Sequence, residues 1–285
     1  MDTQAQTQAN KSAAFVALHE TGTFVIPNPW DAGSARLLQH LGFPALASTS
    51  AGFAFSQGQS DLSVGLPAML AHLTDLAAAT DLPVSADLQN GFGDAPAAVA
   101  QTILAAARTG IVGGSIEDAS GDPDHPIYDL GLAVERIRAA AAAARSLGYQ
   151  FMLTARAENY LHGRRDLADT IRRLQAYQDA GADVLFAPGI QSKDDIRAIV
   201  QSIDRPLNVL MGFPGAQVTL DELRDLGVRR VSVGGSLARA AYGAMWRAAQ
   251  EIQATGTFRY ADDAMSGKDL NTILAQPVLR QSDET

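Results

Sequence analysis

Not one of the 285 residues is cysteine, which removes disulfides, thiolate metal sites and a thiol catalyst together. No apolar run reaches the roughly 18 residues that a membrane span needs. Basic residues are outnumbered, 22 Lys and Arg against 31 Asp and Glu for a net charge of -9, and no basic stripe offsets the deficit. That balance excludes a nucleic-acid partner. It leaves room for an anionic small molecule in a local positive pocket. The N-terminus lacks a basic stretch followed by an apolar one, so the expected location is the cytoplasm. Charged residues make up only 19% and hydrophobic residues 47%, which suits a large core and rules out a disordered chain.

What is present is a repeat. A short apolar run of β-type residues, a loop, and a longer Ala- and Leu-rich run with helical spacing recur eight times. Strands are expected over 24–28, 45–49, 82–87, 111–117, 151–156, 183–187, 207–211 and 230–233. The first helix starts from Asp31 as N-cap and runs to Leu41; the second, over 67–79, follows a long loop. Six more are expected over 95–108, 132–147, 167–180, 192–203, 219–226 and 236–254. Gly42, Gly110, Gly148, Gly181 and Gly227 sit where left-handed caps end helices. Strict alternation predicts one (β/α)8 barrel over residues 1–255, an α/β TIM barrel, with an open doubly wound sheet as the alternative. Residues 256–285 are more polar, with a weak helical segment over 269–275. They are expected to be an extension that packs under the barrel or reaches a neighbouring subunit.

In such a barrel the chemistry sits at the carboxyl ends of the strands. Those ends carry Asn28, 48–52, Asp87, Glu117, Arg156, Pro188, 208–211 and 234–236. Asp87 and Glu117 close two consecutive strands about 4.8 Å apart, so they can converge on one hard cation; Mg²⁺ needs few protein ligands because it keeps waters and takes substrate oxygens. The competing reading pairs Glu117 with Arg156 structurally. Arg156 offers a planar fork matched to a carboxylate or phosphonate, or else an internal salt bridge to Glu117 or Glu158. The segment Ser50-Ala51-Gly52 can present backbone N–H groups to an anion. Asn208 either hydrogen-bonds substrate or caps its loop.

Taken in order, 28–36 (NPWDAGSAR), 49–52 (TSAG), 86–93 (ADLQNGFG), 116–118 (IED) and 154–158 (TARAE) resemble the isocitrate lyase and phosphoenolpyruvate mutase superfamily, from about Phe24 to Ala254. The resemblance implies a Mg²⁺-dependent (Mn²⁺ also fits) enzyme that makes or breaks C–C or P–C bonds beside a 2-oxo acid. It assigns Asp87 and Glu117 to the metal, with Asp61 reaching a metal-bound water. Main-chain groups around Ser50 and Ala51 bind the 2-oxo acid carboxylate, and Arg156 holds substrate anions. It also implies a homo-oligomer, a dimer or a tetramer with C-terminal helices swapped between subunits.

Two departures stand out. Gln89 replaces an acidic residue usual in the family. The loop after the fourth strand, 119–128, carries neither the Lys-Cys-Gly-His-type sequence of the lyases nor the Lys of the mutase and phosphonopyruvate hydrolase branches. His125, Glu158 and Tyr160 remain as proton carriers. The expected activity is a Mg²⁺-dependent carbon–carbon lyase or decarboxylase on a small 2-oxo or 2-hydroxy di- or tricarboxylic acid. The alternatives are a phosphonopyruvate-type P–C bond enzyme and a non-catalytic 2-oxo acid binding barrel.

Overall fold

A computed structural model describes residues 3–215 and 218–278. Eight parallel strands are ordered β1-β8-β7-β6-β5-β4-β3-β2. They are β1 Phe24–Ile26, β2 Leu46–Ala47, β3 Val84–Asp87, β4 Gly113–Glu117, β5 Met152–Arg156, β6 Val184–Phe186, β7 Leu207–Leu210 and β8 Arg230–Ser232. Helices alternate with them: α1 Thr3–Leu18, α2 Ala32–His40, α3 Ser50–Ser56, α4 Leu66–Ala78, α5 Pro96–Ala107, α6 Leu130–Arg145, α7 Leu167–Asp179, α8 Lys193–Ser202, α9 Leu220–Asp225 and α10 Ser236–Thr255. The arrangement is the expected (β/α)8 barrel, and the doubly wound alternative falls because β1 and β2 come together at a seam.

That seam is narrow. Pro27 has no N–H to give, and one backbone bond crosses from the Ala47 amide to the Pro27 carbonyl, 3.0 Å. Asn28 supplies the rest. Its Nδ2 donates to the Ser48 carbonyl at 2.9 Å, and its Oδ1 accepts from the amides of Val233 and Gly234 at 3.0 and 2.9 Å. One side chain therefore ties the ends of β1, β2 and β8.

Two elements were not legible beforehand. Helix α1 closes the amino-terminal end of the barrel. Gln8 Nε2 donates to the Ala107 and Ile111 carbonyls, both at 2.8 Å, Lys11 Nζ to Thr80 at 2.7 Å and Ser12 Oγ to Gln150 at 2.6 Å. Phe15 is fully buried beneath the strands. Gly113 makes room for it, since a Cβ there would lie 2.8 Å from the Met152 carbonyl oxygen and 3.1 Å from the Phe15 ring. The second is α3, a short helix inside the expected loop, with Thr49 as its N-cap accepting from the Gly52 amide. Four of the five expected cap glycines have the left-handed backbone; Gly148 does not, and α6 ends instead on Ser146 in a right-handed conformation.

Beyond α10 the chain forms a 3-10 turn, Arg259–Asp263, and a last helix, α11 Gly267–Leu274. Arg36 on α2 donates to the Gln276 carbonyl, which fastens this segment to the barrel's flank. Residues 279–285 of the expected extension lie outside the described residues. Among the described residues, no helix is long and apolar enough to cross a membrane.

Candidate active site

The strands of a barrel usually fill its interior with bulky branched side chains. Here the inward positions just below the carboxyl ends are small or polar: Ala47 on β2, Ser85 on β3, Ser115 on β4, Asn208 on β7 and Ser232 on β8. The mouth therefore opens into a cavity of about 220 Å³. Asp61, Asp87 and Arg156 line it, together with Thr49, Ser50 and Ala51.

Arg156 organises the mouth. Its Nη1 meets Asp87 Oδ1 at 3.0 Å, its Nη2 meets Glu117 Oε2 at 3.1 Å, and its Nε donates to Glu158 Oε1 at 2.8 Å. The register of β4 on β5, which sets Glu117 beside Arg156, makes the second of these pairs. Glu117 thus makes the expected pair with Arg156, and the same guanidinium links it to Asp87. The guanidinium also lies 5.2 Å from the centre of the Phe186 ring.

Asp87 is held from several sides. Its amide donates to Ser48 Oγ at 2.8 Å, and its Oδ2 accepts the Ser50 amide at 3.1 Å. Ser50 Oγ donates in turn to Asp61 Oδ1 at 3.2 Å, which also takes the Leu62 amide at 2.9 Å. Of the three residues expected to offer amides to an anion, Ser50 gives its own to Asp87 and Gly52 gives its own to Thr49 Oγ1. Gly52 serves packing, because a Cβ would come within 2.6 Å of Thr49 and 3.0 Å of Trp30.

Behind the mouth, Asp118 anchors the cluster. Its Oδ1 accepts the Glu158 amide at 2.8 Å, and its Oδ2 accepts from Tyr177 at 2.5 Å and Arg173 at 3.1 Å. Asn208 is buried at the inner end of the cavity, donating to Ser232 Oγ and accepting from Arg230 Nε, each at 2.9 Å. His125 is elsewhere. The loop after β4 is pinned by an antiparallel bridge between Ala119 and Ile127, and its histidine is 85% exposed beside Asp122, outside the cavity lining. Arg230 went unnoticed as a site residue in the sequence; the only signal was the inward parity of 230 and 232 on the last strand.

Three carboxylates, Asp87, Glu117 and Glu158, thus surround one guanidinium, and Asp61 joins them through Ser50. Burial raises the pKa of Glu117 well above the ordinary value, against the pull of Arg156 and with Glu158 and Asp87 adding to it. Burial likewise raises Glu158. Desolvation at the rim, then the charge of Asp87, raises Asp61. The surplus of hard oxygen donors fits a hydrated dication held by one or two carboxylates. It does not make a closed cage, for among the described residues no three such side chains converge at metal-binding distances.

A closed barrel with a carboxylate-rich mouth over a small polar cavity is an architecture suited to an enzyme. The family model of phosphoenolpyruvate phosphomutase matches residues 15–253. The 2-methylisocitrate lyase of Escherichia coli is 32% identical over 248 residues, covering 83% of this chain and 80% of that one. A crystal structure from Burkholderia cenocepacia, of a protein provisionally described as a lyase/mutase, is 60% identical, with a TM-score of 0.94 over 95% of this chain and 98% of that one. A phosphonopyruvate hydrolase solved with oxalate and Mg²⁺ is 25% identical, with a TM-score of 0.81 over 92% of this chain and 94% of that one. The chain belongs to the phosphoenolpyruvate mutase/isocitrate lyase superfamily.

Proposed function

We propose that the chain is a Mg²⁺-dependent carbon–carbon lyase or decarboxylase acting on a small 2-oxo or 2-hydroxy acid. The observation that carries this reading is the mouth itself, where three carboxylates share one arginine, with Asp61 nearby, over a cavity sized for such an acid. Asp87 and Glu117 would hold the ion, with Asp61 reaching a water bound to it. When bound, Mg²⁺ supplies Lewis acidity that stabilises negative charge growing on a 2-oxo acid's oxygen.

The rest falls to the chain. Ser50 and Ala51 border the substrate's carboxylate, while Arg156, fixed by Glu117, Asp87 and Glu158, presents a preorganised positive face. Glu158 is the carboxyl group suited to carrying a proton near the reacting carbon, because burial favours its neutral form. Leu161, from the loop after β5, contributes an apolar side chain to the cavity lining. The exposed Met245 and Trp246 on α10 support assembly into a homo-oligomer.

A second reading, a barrel that binds 2-oxo acids without turning them over, draws on the exposed His125 and on the absence of Lys and Cys from 119–128. A pyruvate-release assay across 2-oxo, 2-hydroxy and phosphono acids separates the two. Turnover of one acid that stops on chelation and returns with Mg²⁺ supports the enzyme. No turnover, with Mg²⁺-linked thermal stabilisation by a 2-oxo acid, supports the binding barrel. In Asp87→Ala that metal-linked stabilisation should vanish; a shift equal to the parent's would refute the metal assignment.

A further inference from the structure

At the inner end of the cavity stands a second arginine with a different company. Arg230 opens β8, its side chain is buried inside the barrel, and it lines the cavity floor. Nε donates to Asn208 Oδ1 at 2.9 Å, Nη2 donates to Thr154 Oγ1 at 2.9 Å, and Nη1 lies 3.4 Å from His19 Nε2. His19 Nδ1 is 2.8 Å from the Phe15 carbonyl. That contact makes Nδ1–H a donor and leaves Nε2 as the acceptor for Arg230, a neutral imidazole. All three partners of Arg230 are therefore uncharged, and among the described residues no carboxylate forms an ion pair with it. Arg156 is the opposite case, with a carboxylate on each of its three nitrogens.

An uncompensated guanidinium in a barrel core is costly. Burial pushes the pKa of Arg230 down to about 9, still charged at neutral pH. The neighbours leave the space before it open, since Ala47, Ser85 and Ser115 are small and Asn208 and Ser232 are polar. Thr154, which Arg230 reaches, lies two residues below Arg156 on β5, about 6.6 Å along the strand. That depth matches the distance between the ends of a short dicarboxylic acid.

We propose that Arg230, positioned by Asn208 and Thr154, receives a second carboxylate of the substrate at the cavity floor, so that the site selects short dicarboxylates over monocarboxylates. The inference rests on the mouth holding the 2-oxo acid end, as argued above. Arg230 is then the specificity-determining cation and Asn208 its positioning residue. A carboxylate arriving there replaces lost hydration with a charge-assisted, two-pronged contact.

Calorimetric titration of the full chain with Mg²⁺ tests it, using 2-oxoglutarate and oxaloacetate against 2-oxobutyrate and pyruvate. The parent should bind the diacids about 30- to 100-fold more tightly than the monoacids. Arg230→Met should lose that preference while keeping its affinity for pyruvate, and Arg230→Lys should retain part of it. Asn208→Ala, which frees Arg230 without removing its charge, should weaken the diacids alone. If the parent binds diacids and monoacids equally, or if Arg230→Met and Arg230→Lys weaken both classes alike, the inference is overturned with the mouth reading intact. If the parent binds neither class, the mouth reading fails first and takes this one with it.

Discussion

The barrel's closure at a single asparagine makes Asn28→Ala the sharpest structural perturbation. The substitution deletes three hydrogen bonds at once, to the Ser48 carbonyl and from the amides of Val233 and Gly234. A buried backbone group left unpaired costs about 1–3 kcal/mol. Ser48 is buried, so its carbonyl carries that full penalty. The two amides are half-buried and Gly234 borders the cavity, so water replaces part of what they lose. The expected loss is about 2–4 kcal/mol, because no ladder between β1 and β2 stands behind the side chain. Urea unfolding followed by circular dichroism reads it as a shifted midpoint at constant slope. Asn28→Asp keeps the acceptor for both amides but sets a buried carboxylate oxygen against the Ser48 carbonyl, so it should not restore stability at neutral pH. A loss under about 0.5 kcal/mol in Asn28→Ala would show that the seam holds without this residue.

The buried histidine under the barrel sets a pH dependence. Burial first, and the charge of Arg230 second, lower the pKa of His19 from 6.5 to about 3. Below pH 6.5 the unfolded chain takes up a proton that the folded chain refuses, so stability falls as pH drops towards 3, by about 1.4 kcal/mol per pH unit. His19→Gln should flatten the slope between pH 6 and 4 relative to the parent, and parallel slopes would refute the assignment. Asp118→Ala removes the acceptor of Tyr177 and of the Glu158 amide and one of the two carboxylates on Arg173, which keeps Asp169, and should cost about 1–3 kcal/mol, with Asp118→Asn losing less; thermal unfolding that is unchanged in Asp118→Ala would remove Asp118 from the supporting network. On α10, Met245 and Trp246 are 60% and 64% exposed, and only Ala238 of that helix is buried. Light scattering should show an oligomer that Trp246→Glu reduces in mass, and a monomeric parent would refute self-association through this face.

The eight-fold β/α repeat was legible because burial on both sides of a parallel strand writes itself as an apolar run, and a covering helix as a 3.6-residue period. Asp87, Glu117 and Arg156 were legible because a charged residue that closes an apolar strand has few places to point except the mouth. Helix α1 was not, since its polar residues are ordered by carbonyls of 80, 107, 111 and 150 that exist only once the barrel is closed. Likewise α3 is seven residues of small and aromatic side chains with no periodic stripe to announce it.

The linear chain alone determined the architecture, the acidic mouth and the loss of Lys and Cys from the loop after β4, since each is a matter of local pattern and residue identity. Tertiary structure alone decided that His125 stands outside the cavity, that Asn28 is the clasp of the seam, and that Arg156 is saturated with carboxylates while Arg230 has none among the described residues. The physical reason is the same in each case. A side chain's charge is written in its residue type, but its counter-charge comes from strands that are distant in sequence and meet only when the barrel forms.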